Sequence, residues 1–109
     1  MDIPALQQAL RTFAAERHWQ PFHTPKNLST ALMVEAAELA EIFQWMTPEQ
    51  SAAASGDAAT KERIADEIAD VLLYLLQMAD HTGVDIEAAV QAKLVKNAVK
   101  HPVRGVERP

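Results

Sequence analysis

Two pairs of carboxylates hold the chemical interest of this sequence: Glu35-x-x-Glu38 and Glu67-x-x-Asp70. Each pair falls where an acid does not belong. Leu28, Leu32, Leu39, Ile42 and Met46 form an apolar helical stripe, and Glu35 stands in the middle of it. Asp66, Glu67 and Asp70 interrupt a still more apolar run that includes Ile64, Ile68, Val71, Leu72, Leu75 and Leu76. A carboxylate placed among such residues must be paired, protonated or bound to a cation. Residues three apart on a helix are neighbours, with Cβ atoms roughly 5–6 Å apart, so each pair can converge on one point. If the two helices pack antiparallel, four carboxylates meet between them. Hard oxygen donors, with no cysteine and no suitably placed histidine, suit magnesium, with manganese as the second choice. A di-iron bundle would want Glu-x-x-His on two helices, and no histidine stands three residues after any glutamate. A lone Glu-x-x-Glu is common on a solvated helix face; two such pairs in apolar stripes favour the metal. Asp66 stays open between the metal and an ion pair with Arg63. Glu41, three residues after Glu38, is open as a supporting or metal-bridging acid.

Four helical segments must position these acids. The first is expected over Ile3 to Trp19, capped by Asp2 with Pro4 in its first turn, and stopped before Gln20-Pro21. A stiff loop, Pro21 to Lys26, follows; Phe22, His23 and Lys26 are unusual residues for a mere connector. The second helix is expected from Asn27 or Leu28 to Met46. Thr47-Pro48-Glu49-Gln50 has the form of a capping box opening a short helical turn, which Ser55-Gly56-Asp57 breaks. The third helix should run from Ala59 to Thr82 and stop at Gly83. The fourth, capped by Asp85, should run from Ile86 to Lys100, with His101-Pro102 ending it and a tail from Val103 to Pro109. No segment alternates with period two over a strand's length, so the class is all-α, a four-helix bundle-like arrangement. The third helix is apolar around nearly its whole circumference, which predicts burial on all sides. Four short helices cannot enclose one of their own, so a homo-oligomer is expected.

The totals narrow the function. A chain of 109 residues makes one domain, and 49% hydrophobic residues suit a globular one. A net charge of −5 argues against holding a nucleic-acid polymer by bulk charge. It leaves a phosphate substrate open, because a metal ion inverts the local charge logic. The absence of cysteine excludes disulfides, zinc–thiolate centres and thiol nucleophiles. No signal peptide and no membrane-spanning stretch are read in the sequence, so a cytoplasmic location is expected. Lys93, Lys96, Asn97 and Lys100 share one face of the last helix, either as a solvated basic face or as a cationic wall.

The spans Phe22-His23-Thr24-Pro25-Lys26-Asn27-Leu28, Val34 to Trp45 and Asp66 to Leu75 closely resemble the MazG-like, all-α NTP pyrophosphohydrolases, most of all their dCTP pyrophosphatase branch. The resemblance runs from about Arg17 to Pro102. It implies cleavage of a nucleoside triphosphate between the α and β phosphates, with magnesium, to give a monophosphate and pyrophosphate. It places the metal-binding acids on Glu35, Glu38, Glu67 and Asp70. Many members carry an acid just before the first glutamate; Val34 stands there in this chain, and Glu41 is the candidate substitute. Glu38 is the candidate proton acceptor. The resemblance puts Lys93 and Asn97 at the phosphate or sugar end of the nucleotide, with Arg104 a further candidate clamp. It puts Trp19, Trp45 and Tyr74 against the base or sugar, where aromatic faces stack on any base. His23, Lys26 and Asn27 are candidates for reading the base or supporting the loop. The expected substrate is dCTP or a modified cytosine nucleotide. The alternatives are the same chemistry on another or a broad set of nucleotides, or a non-catalytic helical oligomer, dimer or dimer of dimers, that binds metal or nucleotide.

Overall fold

The structure, a computed structural model, describes residues 1–103; Arg104 and the rest of the expected tail lie outside the described residues. The described residues form five helices: α1 (Ile3–Glu16), α2 (Pro25–Phe43), the short α3 (Pro48–Ala52), α4 (Ala58–Thr82) and α5 (Ile86–Lys100), with 3-10 turns at Gln20–Phe22 and Ala54–Gly56. There is no strand among the described residues, as the missing period-two pattern requires.

The helix starts follow from side chains that accept the orphan N–H groups of a first turn. Asp2, Asp57 and Asp85 cap α1, α4 and α5 by accepting from Ala5, Thr60 and Ala88. Thr47 and Gln50 form the expected capping box of α3, with bonds of 3.1 and 2.9 Å in the two directions. Thr24 caps α2 by accepting from Asn27 N–H, with Pro25 in the first turn. That moves the start of α2 two or three residues ahead of the expected Asn27 or Leu28. The second proline of the supposed loop is the first residue of a helix, where its missing N–H costs nothing. α1 also departs from expectation and ends at Glu16 rather than Trp19. His18 takes a left-handed conformation, φ 57°, and the Trp19 N–H turns back onto the Ala14 carbonyl at 2.9 Å. α2 stops at Phe43, short of Met46. Gly83, φ 72°, ends α4 where expected, in the conformation that glycine adopts without steric cost.

α2 and α4 form the main helix–helix interface, and α1 lies against α4. Leu28 of α2 and Leu76 of α4 are the fully buried large side chains, and Ala14, Ile42, Ala54 and Ala79 are the other buried apolar residues described. Two polar links join α1 to α4: Gln7 donates to the Leu76 carbonyl at 3.0 Å, and Arg11 pairs with Asp80 at 2.6 Å. The expected bundle is not closed within one chain. Every residue of α5 after Ile86 is exposed, including Val90, Leu94, Val95 and Val99. The all-round burial expected for α4 is likewise incomplete, because α1 and α2 leave part of its circumference bare. Leu76 and Ala79 are its buried residues, whereas Ile68 is 54% exposed. The open arrangement shows in the radius of gyration, 17.3 Å, where a compact chain of this length would have about 13 Å.

Candidate metal and nucleotide site

The α2–α4 interface brings the two acid pairs together. Glu35, Glu38 and Glu67 each offer a carboxylate oxygen, all within 4.8 Å of one another. Glu35 and Glu67 are half-buried, and Glu38 is exposed. The Oε2 atoms of Glu35 and Glu67 are sealed from solvent and accept no hydrogen bond. No Lys or Arg ion pair reaches the cluster among the described residues. Repulsion among the acids and loss of solvent both oppose charge here. Burial, then the neighbouring Glu38, then Asp70 push the Glu35 carboxyl up to about 7. Burial, with the charges of Glu38 and Asp70, also raises Glu67, although its contact with Glu35 works the other way. Asp70 stands close enough to act on both, at the edge of the cluster. Buried acceptors without donors, in an all-carboxylate set, are the chemistry that a hard divalent cation satisfies. The residues present therefore fit such an ion. Asp66 and Glu41 are exposed and lie outside the group of three.

Asp70 also opens onto a cavity of about 160 Å³ between α4 and the end of α1. Trp19, His23 and Tyr74 line it, with Leu10 and Phe13 as its apolar floor. The aromatic wall is held by stacking. Arg17 sits 3.4 Å over the Phe13 ring, Phe13 meets Trp19 edge-on at 5.6 Å, and Trp19 meets His23 edge-on at 6.3 Å. The left-handed turn at His18 is what swings Trp19 back over Phe13. Three of the aromatic or polar candidates thus share one cavity with a candidate metal ligand.

The other candidates stand apart. Trp45, beyond the end of α2, is 88% exposed and does not line that cavity. Lys26 and Asn27 are exposed in the first turn of α2, and the Asn27 amide donates to the Phe22 carbonyl, which braces the 3-10 turn. Lys93 and Asn97 lie on exposed α5 and line no part of the Asp70 cavity. Gln77 does line it, yet does not figure among the sequence candidates. The signal was available, since Asp70, Tyr74 and Gln77 follow i, i+4, i+7 spacing on one helix face.

A model of the MazG-like family matches residues 30–108, across both acid pairs. The chain belongs to the MazG-like family. Among curated relatives, this MazG-like chain is 40% identical over 91 residues to dCTP pyrophosphatase 1 of Bos taurus, covering 84% of this chain and 54% of that protein. It is also 40% identical over 90 residues to dCTP pyrophosphatase 1 of Homo sapiens, covering 83% and 53%. The chain spans about half the length of the curated relatives it matches. The crystal structure of a pyrophosphatase from Archaeoglobus fulgidus superposes with a TM-score of 0.84 at 38% identity, covering 94% of both chains. That pyrophosphatase therefore shares the fold over nearly the whole chain.

Proposed function

We propose that the protein hydrolyses a nucleoside triphosphate between the α and β phosphates, giving the monophosphate and pyrophosphate, with dCTP or a modified cytosine nucleotide as substrate. The observation that carries this reading is the set of sealed, unpartnered oxygens of Glu35 and Glu67 beside Glu38, next to an aromatic cavity that begins at Asp70. The names of the relatives support the reaction and the base.

Glu35, Glu38, Glu67 and Asp70 would hold the metal, magnesium or in its place manganese. When bound, the ion supplies positive charge for the phosphate oxygens and acidifies a water. Glu38, the exposed member of the cluster, would accept the proton of the water that attacks the α phosphorus. The bond from the α phosphorus to the bridging oxygen breaks, and pyrophosphate leaves with its electron pair. Trp19 and Tyr74 stack on the base or sugar, and His23 stands at the polar rim of the same cavity. Trp45, Lys26, Asn27, Lys93 and Asn97 remain candidates for substrate contacts. Those on α5 would act best in a homo-oligomer, dimer or dimer of dimers, that covers the exposed apolar residues of α4 and α5. No helix among the described residues is long and apolar enough to cross a membrane, in keeping with a cytoplasmic enzyme.

Pyrophosphate release over a nucleotide panel with magnesium tests the proposal. Release from dCTP above other nucleotides is the expected result. Equal release from many bases would keep the chemistry and remove the specificity. No release from any nucleotide would leave a metal- or nucleotide-binding protein. Activity surviving Glu35→Ala or Asp70→Ala would remove that residue from the essential set.

A further inference from the structure

A second cavity, of about 350 Å³, adjoins the Asp70 cavity; the two share Leu10, His23 and Gln77. Some of the polar side chains around this seam are engaged, whereas those of Gln20, His23, Gln77 and His81 form no hydrogen bond among the described residues. The Gln7 amide is tied to the Leu76 carbonyl, and Arg11 is paired with Asp80. Gln77 is half-buried, its polar atoms are not sealed off, and its amide forms no hydrogen bond among the described residues. It faces both cavities with a free donor and a free acceptor.

Its place along α4 has a chemical meaning. Seven residues at 1.5 Å each set Gln77 roughly 10 Å along the helix axis from Asp70, with Tyr74 between them. That span is comparable to the length of a nucleoside. A nucleotide with phosphates at the carboxylates and its base against Trp19 and Tyr74 would bring the base edge to Gln77. We propose that the Gln77 amide reads that edge: Oε1 accepts from the exocyclic amine of cytosine, and Nε2 donates to the adjacent ring nitrogen. The assignment rests on the nucleotide reading given under Proposed function and adds the residue that contacts the base.

The test pairs one variant with one altered substrate. Gln77→Met keeps an unbranched side chain of similar length and removes both hydrogen-bonding atoms. Wild type and variant are assayed with dCTP and with an analogue whose pyrimidinone ring lacks the exocyclic amine. The KM for dCTP should rise roughly 10- to 100-fold in the variant, the scale of a two-bond base contact, with kcat little changed. The KM for the analogue should rise by less than about threefold, because interacting partners are non-additive. A side chain that merely shapes the wall would raise both KM values by the same factor, and that result overturns the assignment. An unchanged KM for dCTP overturns it as well. If the methionine variant does not fold, Gln77→Leu serves in the same comparison, with retained magnesium stabilisation as proof that the carboxylates are intact. A wild type that turns over other nucleotides but not dCTP overturns this assignment alone; one that turns over no nucleotide overturns the nucleotide reading as well.

Discussion

Replacing Glu35 by glutamine should stabilise the metal-free protein at alkaline pH and leave it unchanged in acid. The Glu35 carboxyl is pushed from an ordinary 4.5 up to about 7 by burial and by the acids around it. A raised carboxyl pKa means that folding favours the protonated form. Its contribution to stability is present in full below about 4.5 and is lost as pH rises through 7. The whole shift would be worth about 3 kcal/mol, but solvent at Glu38 and at the open side of Glu35 screens it, so about 1–2 kcal/mol is expected. Glutamine copies the shape of a protonated glutamate and cannot ionise. The variant should therefore match wild type at about pH 3 and exceed it at pH 8, melting about 5–10 °C higher for a domain of this size. Thermal unfolding followed by circular dichroism, after chelation of divalent ions, measures this. Added magnesium at pH 8 should reverse the order, because the cation then compensates the charge that wild type retains. A variant no more stable than wild type at pH 8 without metal, or a gap of equal size at about pH 3, would refute the account of the cluster as mutually repelling acids.

Three further outcomes follow from the packing. Trp19→Ala should raise the KM for the preferred nucleotide by roughly 10- to 100-fold, the equivalent of one aromatic–base stack, with magnesium stabilisation unchanged. Gly83→Ala should cost about 1 kcal/mol in denaturant unfolding, because a Cβ is strained at φ 72° even though it meets no atom there. Leu94→Glu, on the bare face of α5, should lower the assembly state in analytical ultracentrifugation; a wild type that sediments as a monomer would leave that face without the expected partner copy.

The acids and most helix ends were legible in the sequence because their causes are local. Asp2, Asp85, Gly83 and the Thr47/Gln50 box each act within one turn of their own helix. The start of α2 was equally local and was obscured by its context. Thr24-Pro25 repeats the Thr47-Pro48 pattern that opens α3, but a second proline at Pro21 makes the segment read as a loop. The end of α1 was harder, since a histidine in the left-handed region leaves no glycine to mark it. The position of α5 was not legible at all. An amphipathic pattern shows that a face needs cover and says nothing about which surface provides it. The same limit applies to Trp45, Lys93 and Asn97, whose residue types suggest contact with a nucleotide but whose exposure in one chain supplies no partner.

The stack from Arg17 through Phe13 and Trp19 to His23 belongs to the end of α1 and its turn, whereas the carboxylates belong to α2 and α4. These two halves meet along a seam where the Gln7 and Arg11 links are the described polar ties. Under the proposed function, the Phe13–Trp19–His23 wall is therefore anchored apart from the acids, whereas Tyr74 and Gln77 share α4 with Glu67 and Asp70. Substitutions at Phe13, Arg17 and Trp19 can reshape that wall without touching the carboxylates, so one side of the proposed base pocket can change while the acids stay as they are. A nucleotide bound across the seam would in turn lock the halves together, and slower amide exchange at the end of α1 would be its trace.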